Sequence, residues 1–153
     1  MPVCATLSDM SFENLPPNAR DLAFTDFTGA DFVDLFIGLA DRAAGAVGLL
    51  LLDERGCVTQ PVVISDVPAE ARPEGLLPGL ALLGEGLGEG GGAVAFVRAR
   101  PGAPLLTPSD RAWVSEVDRV LTVDGQSLLR SAWLATPTHI RQIPQPRRLR
   151  EAG

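Results

Sequence analysis

Ala93-Val94-Ala95-Phe96-Val97-Arg98-Ala99-Arg100 runs into Pro101-Gly102 and then, after four more residues, into Thr107-Pro108-Ser109-Asp110. The first piece reads as a strand, because it is apolar and ends at a proline that cannot donate to a ladder. The second reads as a helix start, with a hydroxyl at the N-cap, proline at the first helical position and an acid at the third. Trp113, Val117, Val120 and Leu121 supply that helix with a buried stripe, and Asp124-Gly125 is its expected end. Leu128 to Thr136, which contains Trp133, is the next strand. Strand, helix and strand in this order are the kernel of a sheet with a helix packed on it.

Upstream, Ala46 to Leu52 is a continuous aliphatic run, Asp53-Glu54-Arg55-Gly56 is a turn, and Cys57 to Ser65 is a second strand. Together they predict a hairpin in which Gly56 takes the position that needs φ > 0. Pro61 removes a ladder donor, which places part of the second strand at an edge or bulge. Asp66 to Pro73 is an acidic, proline-bearing loop. Leu76, Leu77, Leu80, Leu83 and Leu87 keep helical spacing, predicting a helix from about 74 to 88 that Gly75, Pro78, Gly79 and Gly84 weaken. Phe32, Leu35, Phe36, Leu39 and Ala40 share one helical face, predicting a helix from Ala30 to Ala43 with Thr28 and Asp31 at capping-box spacing.

The ends are less regular. Residues 1–27 lack periodicity, yet Phe12, Leu15, Leu22, Phe24 and Phe27 make them too apolar for a free tail, so an arm packed on the domain is expected. Thr138 to Ile143 reads as strand or short helix, and residues 144–153, with Arg147, Arg148 and Arg150, as a mobile tail. The whole pattern predicts a single α/β (α+β) domain over residues 28–143, a mixed β-sheet with helices packed on it.

Composition narrows function. The 153 residues are 46% hydrophobic and 21% charged, which suits one globular domain rather than a disordered chain. A net charge of −6 argues against a general nucleic-acid binder. The N-terminus has no basic start or long apolar core, and the longest apolar run, Ala43 to Leu52, is about half of a membrane span. A cytoplasmic protein with no membrane association is expected, and Cys4 and Cys57, which match no metal spacing, are expected to be two thiols, with a single disulfide as the alternative.

Gly86, Gly88 and Gly91 formally satisfy G-x-G-x-x-G, but they leave a helix and enter a strand, the reverse of a dinucleotide site, and Glu85 and Glu89 would repel phosphate. A helix stop with a flexible connector is the expectation. His139 is the only histidine and lies in an irregular stretch, and Asp53 and Glu54 share a solvated turn. No nucleophile has the setting that acyl transfer requires, and no cofactor is expected.

Two arginines stand out. Arg98 and Arg100 are two apart on a strand and so share a face, and they fall at the strand end, where βαβ crossovers place ligand sites. The helix start at Thr107 presents free N–H groups nearby. Arg98, Arg100 and Thr107 are therefore a candidate anion-binding site, with phosphate or carboxylate as ligand. The plainer alternative is arginines paired with surface acids.

The arrangement resembles the JAB/MPN metalloprotease-like fold, specifically its RadC branch. Members of that family carry a strand hairpin, a helix and a strand ending in His-x-His-Pro, followed by Ser-x-x-Asp at the next helix. Here Arg98-Ala99-Arg100-Pro101 stands at the first motif and Thr107-Pro108-Ser109-Asp110 at the second, with a connecting loop one residue shorter. The likeness spans roughly residues 46 to 143. It implies that Arg98, Arg100 and Asp110 occupy the positions of zinc ligands and that an upstream glutamate would be the acid/base. Arginine has no lone pair for a metal, and neither Glu13 nor Glu54 suits the glutamate role. The resemblance therefore implies a pseudoenzyme without metal-dependent protease activity, serving as a protein-interaction or scaffold module, with a protein partner or a second copy (a homodimer) as its ligand. Alternatives are a small-anion or nucleotide sensor using the arginine pair, and a DNA-repair-associated RadC-like protein.

Overall fold

The computed structural model describes residues 23–25 and 28–145. Their elements are α1 (Gly29–Phe36), α2 (Leu39–Ala44), β1 (Ala46–Leu52), β2 (Val58–Ser65), a 3-10 turn (Pro73–Gly75), α3 (Leu77–Glu89), β3 (Ala93–Ala99), α4 (Pro108–Val120), the short β4 (Thr122–Val123) and β5 (Gln126–Ser127), β6 (Leu129–Ala135) and β7 (Ile140–Ile143). Five strands form a mixed sheet in the order β2-β1-β3-β6-β7. Only β3 and β6 are parallel, joined through α4, while β1 pairs antiparallel with both β2 and β3 and β7 antiparallel with β6. The chain is thus a mixed α/β domain, as the element order requires.

Each face of the sheet buries its own core. On one side Ala95, Val97, Leu50 and Trp133 pack with Phe24, Phe32, Val33 and Ile37. On the other Val94, Phe96, Val47, Leu49 and Leu134 pack with Leu80, Trp113, Val114, Val117 and Leu121. Strand alternation sends Val94 and Phe96 towards the α4 side and Ala95 and Val97 towards the α1 side. β3 is buried along its whole length, which is what a central strand covered on both faces demands.

The hairpin forms as read, with Gly56 at φ +86° and β2 at the sheet edge, where Pro61 is tolerated. The ladder is irregular between Leu51 and Leu52. The glycine cluster ends α3 and leads into β3: Gly86 and Gly88 lie in the helix, and Gly92 N–H donates to Leu87 C=O at 2.9 Å. No helix among the described residues is long and apolar enough to cross a membrane.

Several expectations need correction. The helix expected over 30–43 is two helices, because the chain is extended at Gly38 (ψ 167°), and Leu39 at the start of α2 faces solvent instead of continuing the apolar stripe. Thr28 does not form a capping box; its hydroxyl donates to Ala23 C=O instead. The helix expected from 74 begins as a 3-10 turn and becomes α-helical only at Leu77. Asp124-Gly125 does not end α4. It forms the tight turn between β4 and β5, both residues having positive φ, as two-residue hairpins of this twist require. Of the stretch Thr138 to Ile143, Ile140–Ile143 form strand β7. Cys57 is not a thiol but disulfide-bonded; Cys4, the only other cysteine, lies outside the described residues. Phe24 of the N-terminal arm is buried against Phe32 and Trp133. The arm's Phe12, Leu15, Leu22 and Phe27, and the tail's Arg147, Arg148 and Arg150, fall outside the described residues.

Candidate functional site

The C-terminal end of β3 carries Arg98 on the α4 side of the sheet, and Arg100 follows two residues later. Both are buried, at 3% and 6% exposure, and Asp110 on the first turn of α4 is fully buried between them. The Asp110 carboxylate accepts two hydrogen bonds from Arg100, Nε to Oδ1 at 2.9 Å and Nη2 to Oδ2 at 2.7 Å, a bidentate fork. Arg98 Nη1 stands 3.4 Å from Oδ1, and the Thr107 N–H donates to Oδ2 at 2.9 Å. The reciprocal bond from Asp110 N–H to Thr107 Oγ1, at 3.1 Å, completes a capping box. One aspartate therefore caps α4 and neutralises a guanidinium.

Both guanidinium groups make further bonds. Arg100 Nη1 donates to the carbonyls of Pro101 (3.1 Å) and Ala103 (3.2 Å), and Nη2 donates to that of Leu105 (2.8 Å), so this side chain gathers the β3–α4 loop around itself. Arg98 Nη1 donates to Ser109 Oγ at 2.7 Å and Nη2 to Ala69 C=O in the β2–α3 loop. The Arg98 guanidinium also lies 5.5 Å from the centre of the Trp113 ring, a cation–π arrangement. The Trp113 N–H donates to Ala71 C=O at 3.0 Å, so two side chains from the core hold the same loop.

Two positive charges against one negative leave a buried excess of one. Burial would raise the Asp110 carboxyl, but the hydrogen bonds from Arg100 and the Thr107 N–H, with the charges of both arginines, outweigh it and hold the group below the usual carboxylate range. Desolvation, with the repulsion of Arg100, pulls Arg98 down from its ordinary value against the attraction of Asp110. The hydrogen bond to Asp110 raises Arg100. Arg98 is the costlier cation to keep, and the Ala69 carbonyl and Trp113 face offset that cost.

The structure thus brings together all four sequence-flagged residues, Arg98, Arg100, Thr107 and Asp110. The arginines pair inside the protein, not at its surface. Ser109, Ala69, Ala71 and Leu105 complete the cluster and were not singled out by sequence reasoning; three of them contribute only backbone carbonyls, which carry no residue signature. The donors fit poorly the zinc ion that the fold resemblance implies, since the arginines offer no lone pair and both Asp110 oxygens are already hydrogen-bonded. Elsewhere, no three His, Cys, Asp or Glu side chains converge among the described residues. His139 is exposed, its Nδ1 2.9 Å from Thr138 Oγ1. Asp53 Oδ1 accepts the backbone N–H groups of Arg55 and Cys57 and so stabilises the hairpin turn.

A cavity of about 330 Å³ adjoins the cluster, lined by Glu70, Arg72, Glu74, Ser109, Trp113 and Glu116 among others. Three glutamates at its wall give it an acidic character. Comparison with protein-family models, with curated proteins and with solved structures finds no match for this chain.

Proposed function

We propose that this chain is a catalytically inactive JAB/RadC-like module that works by binding protein, a partner or a second copy, with an Arg98–Asp110–Arg100 cluster standing where such a fold would hold its metal. The observation that carries the reading is the engagement of both Asp110 oxygens by Arg100 and Thr107. A guanidinium here supplies the positive charge that a divalent ion would otherwise bring, and it ties the β3–α4 loop to the helix start. The site becomes a fastener of the fold, which suits a module whose function lies in its surface. Cytoplasmic location belongs to the same proposal, and the disulfide at Cys57, uncommon in that reducing compartment, stands against it. Elemental analysis of gently purified protein should give far less than one zinc per chain, and no isopeptide or peptide substrate should be cleaved. Stoichiometric zinc, or cleavage that a chelator abolishes, overturns the reading.

The small-anion alternative uses the same arginines and is separated by one measurement. An anion at Arg98 and Arg100 would have to displace Asp110 or the loop carbonyls, so sulfate and chloride at matched ionic strength should stabilise the Arg98→Ala, Arg100→Ala variant by the same increments as the parent. A sulfate-specific rise in Tm that the double variant loses would favour anion binding instead.

A further inference from the structure

We infer that the disulfide at Cys57 is a redox-controlled tether, which joins Cys4 of the same chain to the β1–β2 hairpin and releases the N-terminal arm on reduction. Cys57 is disulfide-bonded and Cys4 is the only other cysteine of the chain, so composition fixes the pairing. The inference goes beyond the module reading and does not depend on it, but it bears on location. A permanent disulfide stands against a cytoplasmic protein, whereas the disulfides of that compartment are usually transient and redox-sensing.

The backbone around Cys57 is held without help from the sulfur. The Cys57 N–H donates to Asp53 Oδ1 at 3.0 Å, and the Cys57 C=O accepts from the Asp53 N–H at 2.9 Å. The arm has a second, non-covalent attachment one residue away. Phe24 N–H donates to Gly56 C=O at 2.8 Å, and the Phe24 ring is buried against Phe32 and Trp133. Residues 5–22 therefore run between two attachments on neighbouring residues, covalent at Cys57 and packed at Gly56. Breaking the first frees the chain upstream of residue 23 while Phe24 keeps its place, so the oxidised and reduced forms differ in the arm and not in the sheet. The segment set free carries Phe12, Leu15 and Leu22, an apolar stretch.

The chemistry is thiol–disulfide exchange with a dithiol reductant. Cys57 is only 7% exposed, so a thiolate of the reductant attacks the Cys4 sulfur, and Cys57 leaves as a thiolate that takes up a proton. The second thiol of the reductant then displaces Cys4 from the mixed disulfide. The protein gains two electrons and two protons as two thiols, and the reductant ends as a disulfide.

Tryptic mapping of the full chain without reductant should link the peptide Met1–Arg20 to the one that begins at Gly56. Dithiothreitol added to the native protein should open the link and leave far-ultraviolet circular dichroism unchanged. Trypsin cleavage after Arg20, followed once the thiols are alkylated, should then run at least about tenfold faster than in the oxidised chain, as expected of a locally released segment. Cys4→Ser should be cleaved at the reduced rate with or without dithiothreitol, and glutathione disulfide added to the reduced parent should restore the slow rate. Two thiols that glutathione disulfide does not join, or a link that opens only in denaturant, overturn the inference. Loss of dichroism on reduction overturns it in favour of a staple that the fold requires, and a cleavage rate indifferent to redox state overturns it as well. None of these outcomes touches the zinc content on which the module reading is tested, so the two can fail separately.

Discussion

Asp110 is the residue on which the β3 end depends. Removing it as Asp110→Ala strands two buried guanidinium groups, and breaking a buried ion pair from one side costs roughly 3–5 kcal/mol. Chemical denaturation should show a loss of that size. Its pH dependence has a definite sign. The folded-state carboxyl is held below its unfolded value, so its stabilisation is fully present above the unfolded value, about 3.9, and fades as pH falls through the folded one. The parent should therefore lose stability more steeply than Asp110→Asn on acidification below about pH 4; parallel curves from urea titrations at several pH values would contradict this. The site was partly legible. Strand parity put Arg98 and Arg100 on one face, and helix-start chemistry flagged Thr107 and Asp110. That the four meet inside the protein was not, because Arg98 finds its acceptor at Ala69, 29 residues away, through a carbonyl that any residue would provide.

At the scale of elements, two positions test how the helices are seated. Gly29 opens α1 with its Cα against the Trp133 indole, so even a methyl group there collides with the ring. Gly29→Ala should cost about 1–3 kcal/mol through overpacking, although alanine is the better helix former. Thr107→Ala removes the N-cap acceptor of α4 and should cost about 1 kcal/mol. Thermal melts of both variants check these values, and a Gly29→Ala that melts above the parent would mean α1 is not held against Trp133. Local rules predicted elements well where they were long or strongly marked: β1, the hairpin, β3 and the capped α4. They failed at Leu39, where the helical period continued in the sequence although the backbone had already broken at Gly38, and at Asp124-Gly125, where a hairpin signal was read as a helix stop. In both places the competing reading was equally local, and only the packing of neighbouring elements decides between them.

At the scale of the whole molecule, the sheet separates two cores, and each holds one of the chain's two tryptophans. Trp113 is stacked on Phe96 on one side, and Trp133 meets Phe24 edge-on on the other, its N–H donating to Ser131 Oγ at 2.9 Å. Both cores use alternate residues of the same strands, β1, β3 and β6, so neither side can melt while the other keeps its strands in register. Trp113→Phe and Trp133→Phe each leave a fluorophore reporting one face. Their denaturation midpoints should coincide with those from circular dichroism of the same variant. A separation between fluorescence and dichroism in either variant would show that the faces unfold independently.

The fork between Arg100 and Asp110 also constrains how the sequence can drift. With both oxygens of one partner and two nitrogens of the other consumed in a single buried contact, a change at either position alone leaves one of this pair orphaned, whereas a simultaneous change to apolar residues of similar volume leaves only Arg98, already the excess charge of the cluster, to be accommodated. Positions 100 and 110 should therefore vary as a pair, ion pair or hydrophobic pair, with the mixed states rare. Arg98, whose remaining contacts are a hydroxyl, a carbonyl and an aromatic face, is freer to change once its neighbours have.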